Sequence, residues 1–242
     1  MTVETHPSKL GIAQLTLVAL FVTALITAQV TAAKVVAIGL PASLPITGEA
    51  ILVPAAVFAY SITFFVSDCY TEIFGKRSAQ MLVNVAFAMN IVLLILVWLA
   101  IFAPIFDGSP VGQEPFAVTL GASTGIVAGS LLAYIVSQNW DVLVFHGIRE
   151  FTAGRYLWLR NVLSTATSQL IDTVIFIGIA FVVFQGLDLG DAMALAFGQY
   201  LFKLGLVVID TPFVYLVVAG IRRHENGRSL LPGDQSTGRA KP

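Results

Sequence analysis

The sequence has little charge, one cysteine and three histidines, and each scarcity closes off a class of function. Charged residues are 11% of its 242 residues, against about 25% in an ordinary soluble domain. Hydrophobic residues make up 57%, and the mean hydropathy is +0.87. A chain of this kind is an integral membrane protein. Its 13 Lys and Arg against 14 Asp and Glu leave a formal charge of −1, so no basic surface points to nucleic acid and no acidic tail is present. Cys69 alone excludes an internal disulfide and any multi-cysteine metal or iron–sulfur site. His6, His146 and His224 fall outside the apolar runs and at no metal-ligand spacing. The sequences HExxH, GxSxG and Walker A are missing, so no enzyme, metal or cofactor is expected. Repeated charged rings and a filter-like loop are missing too, which leaves little to support a channel.

What the chain has in quantity is long apolar runs, since roughly 20 residues suffice to cross a hydrocarbon core. The first, 10–33, is too long for a signal-peptide core, lacks a convincing cleavage site and reads as a retained helix. Ala24, Ala28 and Ala32 form a small-residue strip on it, suited to close helix contact. Gln29 and Lys34 end it with polar groups that can reach a cavity or, for Lys34, the interface. Gly39, Pro41, Pro45 and Gly48 then argue against a helix and for a loop or short re-entrant turn over 35–50. A second span covers 51–66 and runs into Asp68, Glu72, Gly75, Lys76 and Arg77, where glycine stops the helix and cations meet its last carbonyls. A third covers 79–106, with Asn84 and Asn90 on different faces and in need of separate partners. A fourth covers 116–141, with Gly121, Gly125 and Gly129 set for close packing. The stretch 142–160 reads as an interfacial connection, with His146 and Arg149 at the headgroups. Spans five and six cover 161–184 and 192–219.

The expected fold is therefore an all-α integral membrane protein, a bundle of six transmembrane helices over 10–220. Residues 1–9 form a short N-terminal tail, and 221–242 a basic, Gly/Ser/Pro-rich tail expected to be disordered. Lys and Arg concentrate in the N-terminal tail, after spans two and four, and in the C-terminal tail, whereas the turns after spans three and five have none. This alternation predicts both termini in the cytoplasm and a multi-pass protein of the cytoplasmic (inner) membrane. Lipid is then its general partner, and the sequence leaves a homo-oligomer open.

Three polar stripes break the apolar spans. Asn161, Ser164, Thr165, Ser168 and Asp172 share one face of span five, with Gln169 at its edge. Ser130, Tyr134, Ser137, Gln138 and Asp141 do the same in span four, and Gln199, Lys203 and Asp210 in span six. An unmatched polar group in hydrocarbon costs several kcal/mol, so these faces look into protein or a wet cavity. Lys203 sits near mid-membrane and needs a counter-charge, with Asp172 or Asp210 the available partner. A paired network that only fixes helix register is the plain structural account. Intramembrane ionisable groups are by default functional candidates, however, and amides, hydroxyls and acids on inner faces suit a small polar solute held near the midplane. The candidate solute-binding residues are Ser137, Gln138, Asp141, Asn161, Ser164, Ser168, Gln169, Asp172, Gln199, Lys203 and Asp210. Asp68, Glu72 and Arg160 are candidates for gating or coupling.

Residues 68–77 (DCYTEIFGKR), 137–141 (SQNWD) and 158–173 (WLRNVLSTATSQLIDT) resemble motifs of the queuosine-precursor transporter family, also called the VUT family of vitamin-uptake proteins. With the six-span layout, the resemblance reaches across 10–219. It implies import of 7-deazaguanine precursors of modified tRNA bases, such as 7-cyano-7-deazaguanine. A guanine-like ring presents adjacent N–H donors, which a carboxylate can accept, and a carbonyl that takes a donor. Asp172 or Asp210 suits the first role and Gln169, Gln199 or Lys203 the second, with Tyr134, Trp140 and Trp158 the nearest aromatics for stacking. The alternative is a substrate-binding membrane subunit of an ATP-driven vitamin or nucleobase importer, with the Ala24/Ala28/Ala32 strip as its docking face.

Overall fold

The computed structural model describes residues 9–44, 48–152 and 157–229; within these, some side chains, those of Arg160, Asn161 and Asp210 among them, are outside the description. The order of elements is α1 (Lys9–Thr31), β1 (Val35–Leu44), β2 (Gly48–Pro54), α2 (Val57–Phe74), α3 (Lys76–Phe102), α4 (Gln113–Gly121), α5 (Ser123–Phe151), α6 (Leu157–Ile177), a π-helical segment (Gly178–Val183) and α7 (Leu189–Ser229). Four stretches, Gly11–Thr31, Lys76–Phe102, Gln113–Ile148 and Val162–Val183, are long and apolar enough to cross a membrane. Their outward residues are large and apolar, as at Leu15, Leu96, Leu99, Leu132 and Val174, which water would penalise and lipid does not.

The alanine strip of α1 is covered by the chain itself: Ala24, Ala28 and Ala32 are all buried. α1 lies against α2, α3 and α5, so the strip is internal packing rather than an open docking face. Gly75 ends α2 at φ +84° and starts α3 without an intervening loop. Its conformation, and not crowding, calls for glycine there, because nothing lies within 4 Å of where a Cβ would stand.

Residues 35–44 and 48–54 correct the expectation of a loop or re-entrant turn. They form an antiparallel hairpin with Val35 opposite Pro54, Val36 opposite Val53 and Ile38 opposite Ile51, irregular between Gly39 and Leu44. Val35, Val36, Ile38, Ile51 and Val53 are β-branched and favour extended backbone. The prolines fall where a strand tolerates them, Pro41 in the irregular stretch and Pro54 at the strand end. The Ala55 amide closes the hairpin base by donating to the Lys34 carbonyl at 2.7 Å. The second helix consequently begins at Val57 and not at 51. Apart from this hairpin and the connecting turns, the described residues are helical.

Span four bends at Ala122, between α4 and α5, where the Ser123 hydroxyl donates to the Leu120 carbonyl at 2.6 Å. Beyond it α5 runs to Phe151, so much of the expected connection after 141 is helix; residues 142–151 contain no proline to stop it. Likewise α7 continues past the expected boundary to Ser229, which makes the first part of the basic tail helical. Gly125 and Gly129 do meet a close neighbour. A Cβ at Gly125 would collide with the Phe184 side chain, and one at Gly129 would lie 3.2 Å from the Ala180 Cβ and the Phe176 carbonyl oxygen. That neighbour includes the π segment, which widens the end of α6 by one residue per turn.

Candidate solute site

The polar stripes of α5, α6 and α7 converge on Asp172. The Lys203 ammonium donates to Asp172 Oδ2 at 2.6 Å and to Thr173 Oγ1 at 3.3 Å. The pair is largely withdrawn from solvent, at 6% exposure for the Lys203 side chain and 18% for that of Asp172. Ser137 Oγ reaches Asp172 Oδ1 at 3.4 Å, a long contact, and the Tyr134 carbonyl at 3.2 Å. One turn further along the same two helices, Ser168 Oγ lies 3.4 Å from Asp141 Oδ1. Four residues return a helix to nearly the same face one turn on, so α5 and α6 meet through matching polar rungs.

Two cavities open on this cluster. The first, with about 610 Å³ of empty space, lies among the C-terminal part of α1 (Gln29), the start of α2 (Tyr60, Ser61, Phe64), Ser130 and Ala133 of α5, Phe176 of α6, and Gln199, Phe202 and Lys203 of α7. The second, about 670 Å³, lies among Thr63, Phe64 and Ser67 of α2, Val83 and Phe87 of α3, Tyr134, Ser137 and Gln138 of α5, and Gln169 of α6. Asp172, Tyr60 and Phe64 line both.

The walls combine flat apolar surface with acceptors that lack donors. Gln199 is 7% exposed, and neither its Oε1 nor Gln169 Oε1 has a hydrogen-bond partner among the described residues. Gln29, 2% exposed, is held by Ser130 Oγ at 3.3 Å. The Tyr60 and Phe64 rings stand edge to face with centroids 5.1 Å apart, and the Lys203 ammonium lies 6.0 Å from the Tyr60 centroid, a cation–π distance. An apolar slot with a carboxylate, an ammonium and unmatched amide oxygens can hold a flat solute rich in N–H donors.

Of the candidates from sequence, Ser137, Gln138, Gln169, Asp172, Gln199 and Lys203 line one cavity or the other. Asp141 and Ser168 bond to each other outside both linings, and Ser164 is buried. Asp68 and Glu72 are exposed near the end of α2 and line neither cavity. The side chains of Arg160, Asn161, Asp210 and Trp158 are outside the described residues. Among the expected aromatics, Tyr134 lines the second cavity, whereas Trp140 is exposed and bonds Thr167 at 3.2 Å. The rings at the shared wall, Tyr60 and Phe64, come instead from α2, and Gln29 from α1. Tyr60 and Phe64 are four apart in a stretch rich in aromatic and aliphatic residues, and nothing in that spacing separates a cavity wall from ordinary core. Asn84 bonds Gln80 at 3.1 Å, while Asn90 is fully buried with both amide atoms unpaired among the described residues.

A family model described as "Putative vitamin uptake transporter" matches residues 54–217. A relative from Bacillus subtilis (strain 168), named "Probable queuosine precursor transporter", is 32% identical over 178 residues, covering 73% of this chain and 72% of its own. No solved structure matches. The family match spans α2 to α7, and with them every cavity residue from Tyr60 to Lys203; Gln29 lies outside it.

Proposed function

The chain belongs to the family of vitamin uptake transporters, and from that premise we propose that it imports a 7-deazaguanine precursor of queuosine, such as 7-cyano-7-deazaguanine, across the cytoplasmic membrane. The observation that carries this reading is the chemistry around Asp172. Gln169 and Gln199, whose Oε1 atoms have no donor among the described residues, line cavities that share one carboxylate, beside a lysine ammonium. A guanine-like ring supplies adjacent N–H donors for the oxygens and a carbonyl for the ammonium. Tyr60, Phe64, Phe176 and Phe202 offer faces or edges for its flat surface. The named substrate class of the Bacillus subtilis relative agrees with that chemistry.

In this reading the six crossings are α1, α2, α3, α4 with α5, α6 with the π segment, and α7, with both termini in the cytoplasm. Lys9, Lys76, Arg77, Arg155, Arg160 and the basic tail stand at one set of ends and the lysine- and arginine-free turns at the other. The solute passes by alternating access. Asn161 near the start of α6 and Asp210 within α7 remain candidates for solute contact, and Arg160, Asp68 and Glu72 for gating or coupling.

The test is uptake in a cell unable to make or import 7-deazaguanines, supplied with 7-cyano-7-deazaguanine at low concentration, with the modified base assayed in tRNA. Modification is expected to depend on the chain and to vanish with Asp172→Asn while the protein still inserts into the membrane. Normal modification by that variant defeats the site; none with the unaltered protein in the membrane defeats the solute.

A further inference from the structure

Resting on that transport reading, we propose that Asp172 is shared by two successive solute stations, one in each cavity, divided by the Tyr60–Phe64 pair of α2. The two cavities do not merely adjoin. Their common wall is made of one carboxylate and two rings, Asp172, Tyr60 and Phe64. The rings are locked edge to face at 5.1 Å and the carboxylate is tied to Lys203 at 2.6 Å.

Helix α2 passes from one chamber to the other. Ala56, Val57 and Ser61 face the first, Thr63 and Ser67 the second, and Tyr60 and Phe64 lie between. The rest of the first chamber comes from the late part of α1, the early part of α5, the late part of α6 and the early part of α7. The second chamber takes the early part of α3, the later part of α5 and Gln169, one turn before Asp172 on α6. On α1 the second chamber likewise takes the earlier Phe21 and Leu25 against Ala28 and Gln29 of the first, so in an up-and-down bundle the two linings are adjacent levels, offset toward opposite faces of the membrane.

Each chamber repeats the same recognition elements. The first is lined by Gln199 and Asp172 and the second by Gln169 and Asp172, and both glutamine Oε1 atoms are without partners among the described residues. A solute that donates two N–H groups can hold Asp172 and Gln199 on one side, then Asp172 and Gln169 on the other, keeping the carboxylate throughout. Lys203 lines the first chamber and not the second, so a carbonyl acceptor is recognised at that station and released at the other. The rings need only part by rotamer changes, since they pack on each other within one helix.

The experiment uses the full chain with Cys69→Ala and one reporter at a time, Ala56→Cys for the first chamber or Ser67→Cys for the second, exposed to a membrane-impermeant maleimide in intact cells and in inside-out vesicles. The two reporters are expected to react from opposite faces. Adding Tyr60→Ala with Phe64→Ala should raise the reaction of Ser67→Cys from the face of Ala56 at least tenfold. Reaction of both reporters from the same face overturns the partition, and this arm needs no change at the rings, so it stands even where the double alanine variant fails to fold. 7-Cyano-7-deazaguanine should slow labelling in each chamber, with protection lost at Ala56→Cys in Gln199→Leu and at Ser67→Cys in Gln169→Leu. Protection in one chamber alone overturns the second station. Opposite-face labelling with no protection in either chamber overturns the solute and upholds the partition, which separates failure of the transport reading from failure of this one.

Discussion

Asp172 and Lys203 each make the other tolerable. A charge left alone inside a bundle costs on the order of 3 kcal/mol, and each kcal/mol corresponds to about 2–4 °C in a protein of this size. Lys203→Met, which strands the carboxylate, should lower the Tm of the detergent-solubilised protein by roughly 6–12 °C. Exchanging the charges, with Asp172→Lys and Lys203→Asp together, should recover most of that loss, because the attraction does not depend on which helix holds which sign. Uptake should not recover, because the acceptor would then point from α7 and no longer lie between the cavities. Recovery of uptake in the exchanged protein, measured by modified base in tRNA, would assign the pair to structure alone. The sequence offered Asp172 or Asp210 as the partner of Lys203; that Asp172 meets it depends on the rotation of α6 against α7, which no spacing within one helix determines.

At the scale of elements, the hairpin and α7 are fitted backbone to side-chain gap. At Gly198 a Cβ would collide with the Leu52 carbonyl oxygen and lie 2.8 Å from Ile51 Cγ2. Glycine is therefore required there for close approach, β2 lying directly on α7. Gly198→Ala should destabilise the solubilised protein by about 1–3 kcal/mol, as overpacking does, visible as a fall in Tm. Gly205→Ala, on the same helix with nothing within 4 Å of the new methyl, should leave Tm unchanged or raise it slightly. Gly198 adjoins Gln199, so the first cavity should loosen with it. Glycines 125 and 129 were readable as a packing strip because their spacing of four is a helical repeat. The strand that Gly198 accommodates comes from residues read as a loop, so its role had no trace in the pattern.

At the scale of the whole molecule, the distribution of Lys and Arg predicts which turns face outward. Reporter fusions after 107–112 and after 186–188 should register the outer side, and fusions after 75–77 the cytoplasm; the opposite pattern would invert the topology and exchange which chamber receives the solute first. Charges in short loops orient a membrane protein through insertion energetics, whatever the packing of the finished bundle. Four of the crossings meet a simple criterion of length and apolarity. Helix α2 is the more polar because it carries Ser61, Thr63, Ser67, Asp68 and Glu72. That polarity fits an element placed among other helices, α1, α3 and α7, and lining both cavities.

Composition and periodicity by themselves determined that this chain belongs in a membrane, where most of its helices run, and that α5, α6 and α7 each carry a polar face needing shelter. Those properties follow from solvation and from the 3.6-residue repeat, both local to a helix. Three features were decided by tertiary structure: the pairing of Lys203 with Asp172, the hairpin seated on Gly198, and the wall of Tyr60 and Phe64 between two cavities. Each depends on which faces of distant helices are turned toward one another. Packing chooses that for the whole bundle at once, and no single segment encodes it.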